Sequence, residues 1–332
     1  MNMKKLKAGF DNYCLHPLNL QPHELLKWAK SNEAEGVAFS GFSDVIRKNF
    51  TNSYLHDVRQ MAEDLCLYIE WGNGQHVPMD LTSFMKKEIY LSNRKAVGEA
   101  YALGVKIIRS CSGGLMRWKH DAPDTEVFLK EAAIELKKQA RMFRENGAIL
   151  AIETHFEFTT FELLRLFEMC ETEPGDFLGI CLDTMNLLTM LEDPLAATDR
   201  VLPWVVSTHI KDGGILAGEE GITTFPSPVG KGIINLKAII KKLQSMDKEI
   251  YLSVENHGGS FFLPVNETWF ISRFPDLAGT EYNNLLDLAV TTSDKIKTGD
   301  LKITERDDWP VICEERTRDD IKNLKIIRDK LS

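Results

Sequence analysis

Eight short apolar runs, rich in β-branched residues, alternate along this chain with amphipathic stretches of helical period. That alternation constrains the fold more than any other feature of the sequence. The runs are KAGFDNYC, EGVAFS, LCLYIEW, VKIIRSC, AILAIETH, FLGICLD, VVSTHIKD and YLSVENH. Between them lie PHELLKWAKSNE, the stretch Ser53–Glu63, a long stretch Thr82–Leu103, Glu126–Glu145, TTFELLRLFEMC, a short helix opening at Asp193–Pro194, and NLKAIIKKLQSM, with a last helix near Glu281–Lys297. Pro22 stands at a helix start, where its missing N–H is harmless, and Asn146–Gly147 closes a helix as a C-cap.

Strands and helices alternating over short links imply a parallel sheet. Eight such units in 332 residues imply an α/β fold closed as a (β/α)8 TIM barrel. The expected layout is one domain over 1–332. The barrel spans about 6–298, and a C-terminal extension of about 299–332 ends in a helix, TRDDIKNLKIIRDKL, packed outside it. A doubly wound open sheet is the competing layout. No GxGxxG follows the first strand, however, and charge gathers at the ends of four consecutive late strands instead of at one switch point.

Those four ends carry the chemistry. AILAIETH brings Glu153, FLGICLD brings Asp183, VVSTHIKD brings His209 and YLSVENH brings Glu255. A strand that is apolar until its C-terminal end, and charged there, is how a parallel barrel presents a site. Singly, each residue has a blander explanation: a solvated rim carboxylate, an N-cap in the case of Asp183, a satisfied core histidine in the case of His209. Together, three carboxylates and one imidazole match the ligand set of one divalent ion. The bias toward oxygen favours manganese or magnesium over zinc, with cobalt also possible. Glu153 and Glu255, facing both the ion and a substrate, can also exchange protons with that substrate.

His155 lies two residues after Glu153 and shares its strand face, so it enters the same pocket as a candidate base. His257 bears the same relation to Glu255. Lys211 and Asn186 are placed to meet a substrate oxygen, and Asp212 to orient His209. Glu70, Arg109 and Asn12 end earlier strands and are candidates for holding hydroxyls.

Two segments exceed a minimal barrel. Gly213–Gly232, with Phe225-Pro226-Ser227-Pro228, reads as a loop covering substrate. The aromatic segment after Glu255, NHGGSFFLPVNETWFISRFPDL, reads either as rim packing or as a wall for a sugar or flat aglycone.

A net charge of -9 argues against a nucleic-acid partner. No run reaches the roughly 18–20 apolar residues of a membrane helix. The N-terminus is basic without an apolar signal region, so a cytoplasmic protein is expected. Six cysteines without a CxxC exclude a thiolate zinc site of the usual spacing, and Cys66, Cys111 and Cys181 read as small core residues.

IETH, CLDTMN, HIKD and SVENH resemble the xylose-isomerase-like sugar isomerase/epimerase superfamily over roughly Leu6–His257. The resemblance implies metal binding by Glu153, Asp183, His209 and Glu255, with Glu153 and Glu255 as the proton-exchanging pair. Where epimerases often carry a histidine, this chain has Asn186. IETH with its extra histidine, ENHGG before an aromatic segment, FPDL and the DWP…C tail resemble more narrowly the alpha subunit of bacterial C-glycoside deglycosidases. That likeness implies a manganese-dependent lyase that cleaves the carbon–carbon glycosidic bond of 3-oxo-C-glycosides. It further implies His155 as general base and a small beta subunit as partner in a hetero-oligomer. A metal-dependent ketose epimerase or isomerase is one alternative, and a non-catalytic barrel subunit another.

Overall fold

The computed structural model describes residues 6–80, 82–114 and 116–331. Eight parallel strands close into a barrel: β1 (Lys7–Asp11), β2 (Gly36–Phe39), β3 (Tyr68–Gly74), β4 (Ile107–Ser110), β5 (Ile149–Glu153), β6 (Leu178–Asp183), β7 (Val205–Ile210) and β10 (Tyr251–Val254), with β1 hydrogen-bonded to both β2 and β10. All eight expected runs become barrel strands. Near the N-terminal ends the barrel is plugged by Tyr68 and Tyr251, stacked at 4.0 Å, and the Tyr68 hydroxyl lies 2.9 Å from Ser253 Oγ. Gly36 makes room for this plug, because a Cβ there would stand 2.1 Å from the Tyr68 ring.

The outer helices bury one face each. In Thr125–Glu145 the buried residues Phe128, Leu129, Ala132, Ala133, Leu136, Ala140 and Phe143 recur at helical spacing, and Gly147 follows with φ 58°. Thr159 and Glu162 cap the helix Thr160–Met169 reciprocally. The stretch expected to be helical from Thr82 is helical only over Tyr90–Leu103; before it, Met79 and Lys86 form a β-bridge.

Gly213–Gly232 is not an open loop. β8 (Asp212–Ala217) and β9 (Ile222–Ser227) form an antiparallel hairpin, extended by β11 (Phe261–Leu263) into a three-stranded sheet. Helix Gly279–Thr298 packs on β8, where the Ile215 N–H donates to Thr292 Oγ1 at 3.2 Å. The glycines that read as punctuation are close-approach positions: a Cβ on Gly214 would stand 2.5 Å from the Phe225 ring.

A C-terminal helix is present, over Trp309–Asp329. It packs against β1, β10 and helix Leu236–Gln244, covering the seam between the last and first barrel strands. Trp309 Nε1 donates to the Cys14 carbonyl at 2.9 Å, and buried Asp320 accepts from the Val229 N–H at 2.8 Å. Among the described residues, no helix is long and apolar enough to cross a membrane.

Candidate metal centre and cavity

The C-terminal strand ends surround a cavity of about 380 Å³. Register sets its floor: Asp183 pairs with His209, Ser253 with His209, and Glu153 with Cys181, so the charged ends of β5, β6, β7 and β10 stand side by side. Ligand atoms of Glu153, Asp183 and His209 lie within 4.8 Å of one another, all three residues buried. Asp183 serves two purposes. Its Oδ1 accepts the backbone N–H groups of Met185 and Asn186 at 3.0 and 2.9 Å, bracing the turn after β6, where the helix Asn186–Thr189 takes Met185 and not Asp183 as its N-cap; Oδ2 faces Lys211.

Glu255 stands just past β10 and is joined to this group through Lys211. The buried ammonium lies 3.0 Å from Asp183 Oδ2 and closer still to Glu255 Oε2. Neither oxygen has a partner in good hydrogen-bond geometry, although both are buried. Buried carboxylates gathered around a cationic group, beside an imidazole, are a donor set that fits a divalent ion. Glu153, Asp183, His209 and Glu255 would hold it once Lys211 moves aside from Asp183 and Glu255 and one nitrogen of His209 is freed from its carboxylate partner.

The surrounding charges act unequally on this set. Burial pushes Glu153 up, but Arg109, which bonds its Oε2, and His209 together hold it well below the usual carboxylate range. Burial likewise opposes Glu255, and Lys211 outweighs it, bringing that carboxyl down to about 2. Asp183 remains raised, its burial only partly offset by Lys211. His209 is fixed at both nitrogens, Nδ1 3.2 Å from Glu153 Oε1 and Nε2 3.2 Å from Asp11 Oδ2.

Asp11 is the residue that sequence reasoning missed. It ends β1, is fully buried, and accepts from Ser40 Oγ and from the Tyr13 N–H at 2.8 Å. Its signal was like that of the later strands: after Lys7, the run Ala8-Gly9-Phe10 is apolar and ends on Asp11. Asp212, expected to orient His209, instead accepts backbone N–H groups from Gly213, Gly230, Gly232 and Ile234 at 2.9–3.2 Å and ties down the segment after the hairpin.

His155 lines the cavity on the side of β4 and β5. Its Nδ1 lies 3.0 Å from Glu157 Oε2, and Glu157 is itself held by the Gly114 N–H at 3.1 Å. Burial would discharge the ring, but Cys111 and Glu157 override it, so His155 binds a proton more tightly than an ordinary histidine. Phe156 and Phe261, 4.6 Å apart, form an aromatic flank. His257 lines the opposite wall beside Arg306, which comes from the C-terminal segment.

The remaining expected contacts are distributed unevenly. Arg109 and Lys211 line the cavity. Glu70 lies inside the barrel, bonded by Ser253 Oγ at 3.1 Å and pushed up to about 7 by burial. Asn186 is buried in the turn after β6. Asn12 bonds the Gly41 carbonyl at 2.7 Å and borders a neighbouring cavity. Neither Cys66, which is exposed, nor Cys111, half-buried at the cavity edge, is a core residue; Cys181 is.

The profile of the Xylose isomerase-like TIM barrel family matches residues 26–270. The chain belongs to that family. A curated relative, the 3-oxo-isoapionate decarboxylase of Pectobacterium atrosepticum, is 25% identical over 204 residues, 61% of this chain and 66% of that protein. Among solved structures, D-psicose 3-epimerase from Clostridium cellulolyticum H10, determined with D-tagatose, superposes with a TM-score of 0.58 at 12% identity, over 86% of this chain and 99% of the epimerase. A xylose isomerase-like TIM barrel protein from Mycobacterium smegmatis, in complex with magnesium, gives 0.55 at 15% identity over 82% and 98%. At these identities the likeness to solved structures is one of fold.

Proposed function

We propose that this family member is a metal-dependent carbon–carbon lyase acting on 3-oxo-C-glycosides. The observation that carries the reading is the pairing of His155 with its own carboxylate, Glu157, on the cavity wall beside the metal-ligand set. Proton exchange within the ligand set alone would need no such second pair.

A divalent ion, manganese in this reading, would supply a Lewis acid for the 3-oxo oxygen and so acidify the neighbouring C2–H. Glu157 accepts Nδ1–H, and Nε2 of His155, once it has released its own proton, would take the C2 proton. The electron pair left at C2 forms the C1–C2 double bond as the C1–aglycone bond breaks, and the departing aglycone carbon takes the proton that His155 received from C2. The products are a free aglycone and an unsaturated 3-oxo-sugar. Phe156 and Phe261 suit a flat aglycone, and Arg109 and Lys211 suit sugar oxygens.

The name of the Pectobacterium relative favours a second reading, decarboxylation of a 3-oxo acid. There too a carbon–carbon bond breaks and the electron pair is drawn toward the 3-oxo group. A small beta subunit as partner, and a cytoplasmic setting, belong to the first reading.

Incubating the manganese-loaded protein, alone and with a candidate beta subunit, with a 3-oxo-C-glucoside and separately with a ketose separates the readings. Release of aglycone and an unsaturated sugar is expected. A new ketose epimer with no bond cleavage would overturn the lyase in favour of the epimerase.

A further inference from the structure

We propose that Cys111, His155 and Glu157 form a second metal site, which takes a zinc-like ion and thereby withdraws His155 from proton transfer. Cys111 follows β4, and His155 and Glu157 follow β5, the neighbouring strand in the barrel. One ligand atom from each lies within 4.8 Å of the other two.

The geometry separates this cluster from a nucleophile–histidine–carboxylate relay. In a relay, thiol and carboxylate sit on opposite ring nitrogens and are therefore far apart. Here Glu157 is on Nδ1 at 3.0 Å, and the thiol lies within 4.8 Å of the carboxylate. The three groups therefore converge from one side, as ligands do. A thiolate, an imidazole and a carboxylate suit zinc better than magnesium or manganese, so the two centres would divide ions by softness.

Glu157 is positioned in advance by the Gly114 N–H. Beside the cluster stands His76, fully buried, with Nδ1 2.8 Å from Ser110 Oγ and Nε2 without a partner among the described residues. After burial, Glu157 and His155 are the groups that act on it most. His76 stands outside the group of ligand atoms within 4.8 Å of one another, so the site offers three protein ligands.

An ion on Nδ1 displaces the proton that Glu157 accepts and leaves Nε2 protonated, so the ring can no longer take a proton from substrate. This consequence rests on the reading of His155 as the proton-exchanging residue; the site itself does not.

Cobalt tests the site without reference to activity. Protein carrying manganese at the first centre is titrated with cobalt and followed in the near ultraviolet, where a thiolate-to-cobalt band appears. The band is expected in the native chain, absent in Cys111→Ser and weakened in Glu157→Gln, with the manganese content of both variants unchanged. Saturating cobalt without a band, or a band that survives in Cys111→Ser, would overturn the site. Zinc should then lower lyase turnover in the native chain and spare Cys111→Ser, each compared with its own zinc-free rate. A cobalt band accompanied by zinc-insensitive turnover would overturn the withdrawal of His155 and leave the site standing.

Discussion

The two halves of the barrel rim are built for different tasks. The late strands β5, β6, β7 and β10 present Glu153, Asp183, His209 and Glu255, one candidate ligand each, within one residue of the strand end. The early strands β1 and β4 present Asp11 and Arg109, whose contacts run across to the late half, Asp11 to His209 and Arg109 to Glu153, while Ser40, just past β2, braces Asp11. The late half groups the residues that could hold a cation. The early half orients its imidazole and balances its charge until the cation arrives. Closure makes this possible, since β4 lies against β5 and β1 against β10.

The largest effect that could break this comparison lies in the late half. Glu153→Gln or His209→Ala should lose the divalent ion, measured by elemental analysis of purified protein. Turnover should fall by orders of magnitude, because the Lewis acid leaves with its ligand. Full metal content in both variants would sink the ligand assignment.

The late half was legible because its signal is local. An apolar run in which polar or charged residues appear only at its end points to a strand and to a candidate site, and the runs that carry Glu153, Asp183, His209 and Glu255 all have this pattern. Asp11 carries the same mark, yet one carboxylate in KAGFDNYC has no run of neighbours to set it apart. Glu157 and Arg306 were not legible, because the first lies past its strand and the second reaches the cavity from the C-terminal segment. The hairpin was misread for a physical reason: Gly213, Gly214, Pro226 and Pro228 look like loop punctuation, and only tertiary contact shows that Gly213 and Gly214 admit Met185 and Phe225. Asp212 was placed by its closeness to His209 in sequence, whereas four backbone N–H groups decide where it sits.

The second effect is smaller and lies at the boundary between the halves. His155→Ala should keep the first ion, since His155 is outside that ligand set, and should lower turnover by roughly 100-fold, the scale of a lost general base. Loss of the ion would move His155 into the first centre. Retained ion with near-native turnover would make His155 a wall residue and remove the main support for the lyase.

The smallest effect sharpens the role of the early half. Arg109 bonds Glu153 where both are largely buried, at 16% and 4% side-chain exposure. Arg109→Gln leaves Glu153 with His209 as its neighbouring cation and without its strongest one. In chelated protein the expected loss is about 1–3 kcal/mol, the cost of leaving a buried polar group poorly satisfied. A divalent ion on Glu153 replaces the missing charge, so the loss should shrink when the ion is present. Denaturant unfolding of native and variant chains, each with chelator and with saturating manganese, measures both. An equal loss in the two states would mean that Arg109 contributes packing alone, and the division of labour between the halves would fail at its charge-balancing step. A loss confined to the chelated state would show that the early half stands in for the cation that the late half is built to hold.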